Sequence, residues 1–460
     1  MNASVPDPTA KIEAHEFAAA LDGVPASGPV AVAYSGGPDS LCLLHLARLW
    51  AQARDRPLVA LTVDHGLRDG SRAEAEAAGR MAQSLGVPHH ILAWDAPEKG
   101  AADLHANTQA QAREARYRLL ADACRQAGAA TLLLAHHQDD QAETFLLRLA
   151  RGSGVDGLAA MAARREWQGL ILARPLLGFA RARLCATLES EGLTGLEDPS
   201  NDNPRFDRVK MRQAMADLGA LGLTPPRLAE TARRMARARS ALEAETLRFL
   251  AAHATLDAVG YAVIERSALL DAAPEIALRA LSAVLKTVSG AYYRPREEGL
   301  LTLYENVIAT AETDTSTAQA APAAARTLAG CLVRPRLRSL LIMREPMAAL
   351  QATPVVPPAT ARLTPKPPAQ QETVSQPPVE LWDDRYLVDV SVLSASQKVA
   401  ALGEEGVARL RAAGALPTGH PIAALQSAPA LWSNGFSPHL LVTETGLKAP
   451  LTAAPRAWRL

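Results

Sequence analysis

Residues Pro29 to Trp50 read PVAVAYSGGPDSLCLLHLARLW. Val30 to Ala33 is an apolar run of the length of a buried strand, and from Leu41 the apolar residues recur at helical spacing. Between the two lies Ser35-Gly36-Gly37-Pro38-Asp39-Ser40, so the stretch predicts strand, loop and helix. Gly36 and Gly37 carry no Cβ, which permits a sharp turn and close approach of backbone to a ligand. The amides opening the helix at Ser40 offer unpaired hydrogens at the positive end of the helix dipole, and Ser35 and Ser40 add hydroxyls. That is a cradle for phosphate. A Walker loop would end in Gly-Lys-Ser or Gly-Lys-Thr, and this loop holds no lysine.

Downstream, Leu58 to Val63 predicts a second buried strand ending in Asp64-His65-Gly66, at the strand end where open parallel sheets bind ligands. Asp64 is either a site residue or a cap for the helix that begins at Ser71. A helix over Ser71 to Leu85, a strand around His89 to Trp94 and a helix over Asn107 to Ala123 follow, the last with Arg113, Arg116 and Tyr117 on neighbouring faces. Thr131 to Ala135 is a further strand, delivering His136-His137-Gln138-Asp139-Asp140-Gln141-Ala142-Glu143. On a helix from Gln138, Asp139 and Asp140 lie four and three residues before Glu143, on one face. Carboxylates suit a helix start, but their mutual repulsion calls for a cation, magnesium or an ammonium group. The spacing is not that of a structural zinc site. Arg151-Gly152-Ser153-Gly154 forms a second glycine-rich, basic loop, and Leu170 to Ala173 a fifth strand before Arg174-Pro175-Leu176-Leu177 and a helix over Ala180 to Glu191. Strands alternating with helices predict an α/β fold, a doubly wound parallel sheet.

The 460 residues exceed one domain, and the formal net charge is +0, so affinity for nucleic acid has to come from distribution rather than total charge. Arg205, Arg208, Lys210, Arg212, Arg227, Arg233, Arg234, Arg237 and Arg239 stand against only Asp207, Asp217 and Glu230, the best phosphate-backbone surface in the chain. Cys42, Cys124, Cys185 and Cys331 are scattered, which argues against disulfides, structural zinc and a cysteine-ligated cluster. No run reaches the ~20 apolar residues of a membrane span and no export signal is read at the start, so a cytoplasmic protein is expected. The expected divisions are an extension and lead-in helix (1–27), a catalytic domain (28–217), a mainly helical domain (218–348) with a small strand pair near its end, a Pro/Ala-rich linker (349–378) and a C-terminal region without a catalytic constellation (379–460).

Ser-Gly-Gly-x-Asp-Ser after an apolar strand resembles the PP-loop of Rossmann-like ATP pyrophosphatases. In order, SGGPDS, VDHGLR, NTQAQAREARYRLL, AHHQDDQAETFLLRLARGSG, RPLL and EDPSNDNPRFDRVKMR resemble the motifs of the tRNA(Ile)-lysidine synthases across residues 28 to 215, and WDDRY from Trp382 to Tyr386 is also similar. One departure is Arg208-Val209-Lys210-Met211-Arg212, where relatives often continue Arg-Asn-x-x-Arg. The resemblance implies that ATP and Mg2+ serve the transfer of L-lysine to C2 of the wobble cytidine of tRNA(Ile) with a CAU anticodon, through an adenylated tRNA. It implies that Ser35, Gly36, Gly37, Pro38, Asp39 and Ser40 hold the ATP phosphates, with Asp64 and His65 beside the nucleotide. Asp39, Asp64, Arg113 and His136 are its expected catalytic residues. Asp139, Asp140 and Glu143 would surround lysine or magnesium, the metal falling to Asp39 and Asp140. Arg151, Arg205, Arg208 and Arg212 are expected to meet the RNA, and a homodimer is allowed. The competing readings are another PP-loop modifier of tRNA such as a cytidine thiolase, a nucleotide- or RNA-binding module without turnover, and a ligase of small molecules.

Overall fold

The computed structural model describes residues 9–64, 66, 70–94, 108–167, 169–196, 207–291, 293–305, 325–356, 379–383, 385–394, 396–433, 438–443, 446–447 and 451–453. The chain divides into two compact units, Met1–Arg239 and Ser240–Leu460.

Unit one begins with helix α1 (Ala14–Ala20), strand β1 (Val30–Ala33), helix α2 (Pro38–Gln52), strand β2 (Leu58–Asp64), helix α3 (Ser71–Ser84) and strand β3 (His89–Ala93). Helix α4 (Thr108–Gln126), strand β4 (Thr131–Leu133), helix α5 (Gln138–Leu149) and a short α6 (Val155–Leu158) follow. Strands β5 (Arg164–Trp167) and β6 (Leu170–Ala173), helix α7 (Arg181–Ser190) and helix α8 (Asp207–Ala220) complete this unit up to α9 (Pro225–His253), which runs across the division at Arg239.

The sheet order is β3-β2-β1-β4-β6-β5, with every pairing parallel except β5 against β6. Val30, Ala31 and Val32 are fully buried, as a strand covered on both faces must be, and this is why β1 reads as an unbroken apolar run. Leu41, Cys42, Leu43 and Leu44 on α2 are equally buried, so this helix sits inside the core and not along its surface. From β1 the chain winds outward through β2 to β3, then crosses back to β4 on the other side of β1. The crevice outside the carboxyl ends of β1 and β4 is thus the topological switch point, where open α/β sheets bind ligands. The expected doubly wound sheet is present. Strand β5 had no sequence signal, because Arg164-Arg165-Glu166-Trp167 is a charged edge strand with one neighbour.

In unit two, helices α10 (Arg266–Asp271), α11 (Pro274–Ser289) and α12 (Glu297–Leu303) accompany a five-stranded antiparallel sheet. Its strands are β7 (Ala254–Leu256), β8 (Ala262–Glu265), β9 (Arg326–Leu328), β10 (Cys331–Pro335) and β11 (Ser339–Arg344), in the order β7-β8-β11-β10-β9. The helices expected for 218–348 therefore share that region with a full sheet. Its strands alternate: Ile264, Val333, Leu340 and Ile342 join the core of α11, while Val263, Leu332, Leu341 and Met343 join a second core with residues 382–442. In the stretch expected as linker, Ala349 and Val355 are buried and Val355 bridges Val399; residues 357–378 lie outside the described residues.

The Trp382-to-Tyr386 motif is structural. Asp383, at φ 50° in the turn between β12 (Val379–Trp382) and β13 (Tyr386–Asp389), accepts two hydrogen bonds from Arg344, at 2.7 and 3.2 Å. Arg385 reaches the same carboxylate at 2.6 Å and donates to the Ser427 carbonyl, and the Tyr386 hydroxyl donates to the Val259 carbonyl. No helix among the described residues is long and apolar enough to cross a membrane.

Candidate functional site

The loop after β1 is stiffened by its own serines. The Ser35 amide donates to Ser40 Oγ at 3.2 Å, the two hydroxyls are 3.1 Å apart, and Ser40 Oγ donates to the Gly37 carbonyl at 2.9 Å. Gly36 takes φ 85°, a left-handed turn that suits glycine. Its carbonyl accepts the Leu196 amide at 2.9 Å. A Cβ on Gly195 would stand 2.6 Å from the Pro38 nitrogen and 2.7 Å from its Cα, so the chain entering the turn-rich segment lies directly against the loop.

Helix α5 brings its acidic start to the same crevice. His137, 2% exposed, is the N-cap of α5, and its backbone amide donates to Asp140 Oδ2 at 3.0 Å. The imidazole Nε2 lies 3.6 Å from Asp39 Oδ2 and 3.5 Å from Asp140 Oδ2, and Nδ1 lies 3.6 Å from Asp139 Oδ2. Burial alone would discharge such a ring, but the facing carboxylates of Asp139, Asp39 and Asp140 prevail and push its pKa up to about 10. Asp39 and Asp139 feel burial in the opposite sense, yet His137, aided by Arg181, holds both carboxyls below their usual range. The cation that the acidic cluster demands is therefore supplied in part by the protein itself.

Two arginines complete the charge pattern. Arg181, the first residue of α7, donates its amide to Asp139 Oδ2 at 2.9 Å and sets its guanidinium Nε 3.5 Å from Asp39 Oδ1. Arg212, on α8, donates from Nε to Glu143 Oε1 at 2.5 Å and stands 3.9 Å from Asp140 Oδ1. Glu143 is 2% exposed, so its charge is held in a low-dielectric place where a partner matters. Phe145 and Leu146 on α5 pack with Met211, Met215 and Leu218 on α8, which fixes that pairing.

The expected residues do not all converge. Asp39, Asp139, Asp140, Glu143 and Arg212 meet, and His136 is half-buried next to His137. Asp64 Oδ1 accepts the Gly66 amide at 3.1 Å and the Ser71 hydroxyl at 2.7 Å, which ties the end of β2 to the start of α3. Arg151 follows the far end of α5, about 18 Å along the helix from Asp139. His65 and Arg205, and the side chains of Arg113 and Arg208, lie outside the described residues. His137, Arg181 and Gly195 were not singled out from sequence. His137 carried a signal, being the residue before a helix opened by acids. Arg181 lies 42 residues from the carboxylate it caps and gave none.

Among the described residues no group of three or more His, Cys, Asp or Glu side chains is arranged to hold a metal. Asp39 Oδ1, however, is buried and accepts no hydrogen bond. A hard anionic oxygen of that kind fits magnesium, which takes one or two carboxylates and completes its shell with phosphate and water.

A protein-family model described as the PP-loop domain matches residues 8–218. The chain is similar to a tRNA(Ile)-lysidine synthase of Ruegeria pomeroyi, 46% identical over 268 residues that make up 58% of this chain and 62% of that protein. It is also similar to the tRNA(Ile)-lysidine synthases of Methylobacterium nodulans (44% identical, 62% of this chain and 83% of that protein) and Hyphomonas neptunium (40% identical, 64% and 78%).

Proposed function

The chain belongs to the tRNA(Ile)-lysidine synthase family, and we propose that it uses ATP to ligate L-lysine to C2 of the wobble cytidine of an isoleucine tRNA bearing a CAU anticodon. What supports this reading most is the meeting of Asp39, from the phosphate loop, with Asp139 and Asp140, from α5, around His137 at the switch point. Nucleotide loop and acidic pocket are one site.

The reaction has two steps. The C2 oxygen of cytidine attacks the α-phosphorus of ATP and pyrophosphate leaves; the lysine ε-amine then attacks C2 and AMP leaves. In the first step charge gathers on the phosphates, where the amides of the Ser35 to Ser40 loop and Arg113 stabilise it. Asp39 and Asp140 would hold magnesium, which supplies further neutralisation of phosphate charge when bound. Asp64 and His65 flank the nucleotide.

In the second step lysine arrives as an ammonium, with an ordinary pKa of ~10.4, and must lose a proton before it attacks. Asp139, Asp140 and Glu143 bind that ammonium, and one of them or His136 takes the proton. An unpaired anticodon base reaches the site at little cost in stacking, and Arg151, Arg205, Arg208 and Arg212 face the RNA. The setting is the cytoplasm, and the product tRNA reads AUA as isoleucine.

The test is pyrophosphate release from ATP with and without an isoleucine tRNA transcript. Release that needs the transcript is expected. Equal release without RNA would contradict the proposal and favour a ligase of small molecules.

A further inference from the structure

We propose that Arg181 is a phosphate-binding residue of this site, supplying to the pyrophosphate end of the nucleotide the positive charge that the Ser35 to Ser40 loop lacks. The inference rests on reading that loop as the ATP loop.

A Walker loop carries its own lysine to the terminal phosphates; this loop has none, so a cation has to come from elsewhere in the fold. Three cations stand near Asp39 among the described residues. His137 is 3% exposed at its side chain and enclosed by Asp39, Asp139 and Asp140. Arg212 is committed to buried Glu143 at 2.5 Å. Arg181 differs from both. Its side chain is 54% exposed, and its ion pair with Asp39 is a single 3.5 Å approach.

An exposed, one-point pair of that kind holds its guanidinium weakly, so Arg181 can turn to a stronger anion at little cost. A polyphosphate is such an anion, and a guanidinium can engage its oxygens in pairs. The backbone is already set for this. The Arg181 amide donates to Asp139 Oδ2 at 2.9 Å, which ties the start of α7 to the acidic end of α5 whatever the side chain does. Asp39 Oδ1, the oxygen that Arg181 approaches, is buried and accepts no hydrogen bond, so turning the guanidinium away breaks none there.

The test is calorimetric titration of the full-length chain, without RNA, using pyrophosphate, ATP and adenosine as probes. Arg181→Ala is expected to weaken pyrophosphate and ATP about 10- to 100-fold, the scale of one charge-assisted hydrogen-bonding group, and to leave adenosine within about twofold. Arg181→Lys should recover part of the loss and Arg181→Gln little. The thermal midpoint should stay put in all three, since the amide to Asp139 survives. Wild-type and Arg181→Ala proteins that bind pyrophosphate equally well would overturn the assignment. Failure of the wild type to bind ATP or pyrophosphate would overturn the reading of the loop and the assignment together. ATP binding that responds to Arg181 in a protein that never transfers lysine would refute only the ligation reading.

Discussion

His137 Nε2 stands 3.6 Å from Asp39 Oδ2, so a residue delivered by β4 holds the carboxylate that opens the helix after β1. This contact joins the two halves of the switch point, and its removal should be felt in stability. His137→Ala leaves Asp39, Asp139 and Asp140 without their shared cation. A loss of about 2–4 kcal/mol is expected, below the full cost of a deeply buried pair because Asp39 and Asp139 are one-third exposed. Urea unfolding measures it, and a loss under about 0.5 kcal/mol would contradict the role.

The same residue predicts a pH dependence. A histidine raised to about 10 on folding keeps its proton in the folded chain after the unfolded chain has lost it. Its contribution is complete below pH ~6.5 and fades as pH rises through about 10. In metal-free protein, the stability gap between wild type and His137→Gln should therefore shrink steadily from pH 7 to 10. A gap constant over that range would mean the ring is neutral when folded.

Gly195 should be intolerant of any side chain. Its Cβ would meet Pro38 backbone at 2.6 Å, and backbone cannot swing aside as a side chain can. Gly195→Ala is expected to cost about 1–3 kcal/mol and to lower ATP affinity at least tenfold by displacing the phosphate loop. Unchanged ATP binding would show that the loop tolerates the shift.

Asp39→Ala should abolish pyrophosphate release. By contrast, Glu143→Ala should reduce lysine transfer about tenfold more than it reduces pyrophosphate release, since Glu143 is assigned to the ammonium. Parallel loss of both half-reactions would refute that assignment. Single-turnover measurement of each step separates the cases.

Asp383→Ala should destabilise the second unit by about 3–5 kcal/mol, because it strands the guanidiniums of Arg344 and Arg385, the latter fully buried at its side chain. Hydrogen exchange in β11 and β13 reports it; unchanged protection there would contradict the structural role of the motif.

The parallel sheet was legible because its strands are continuous apolar runs and its helices keep strict periodicity; the switch point followed from which strands end in polar residues. The acidic start of α5 was legible for the same local reason. What escaped was long-range. Nothing near Arg181 announces that its amide caps Asp139, and nothing near Gly195 announces that Pro38 lies against it. The pairing of Arg212 with Glu143 has no local signal either, since a basic stretch looks alike whether or not one of its members also pairs inward. The second unit's sheet was read as short pieces because each strand pairs across helices or turns that separate it in sequence.

The central claim is lysine transfer to one tRNA. Labelled lysine should enter an isoleucine tRNA transcript with a CAU anticodon, in the presence of ATP and magnesium, and should not enter a methionine tRNA with the same anticodon. ATP-dependent pyrophosphate release on the isoleucine transcript without incorporation of label would contradict the claim and point to a different nucleophile.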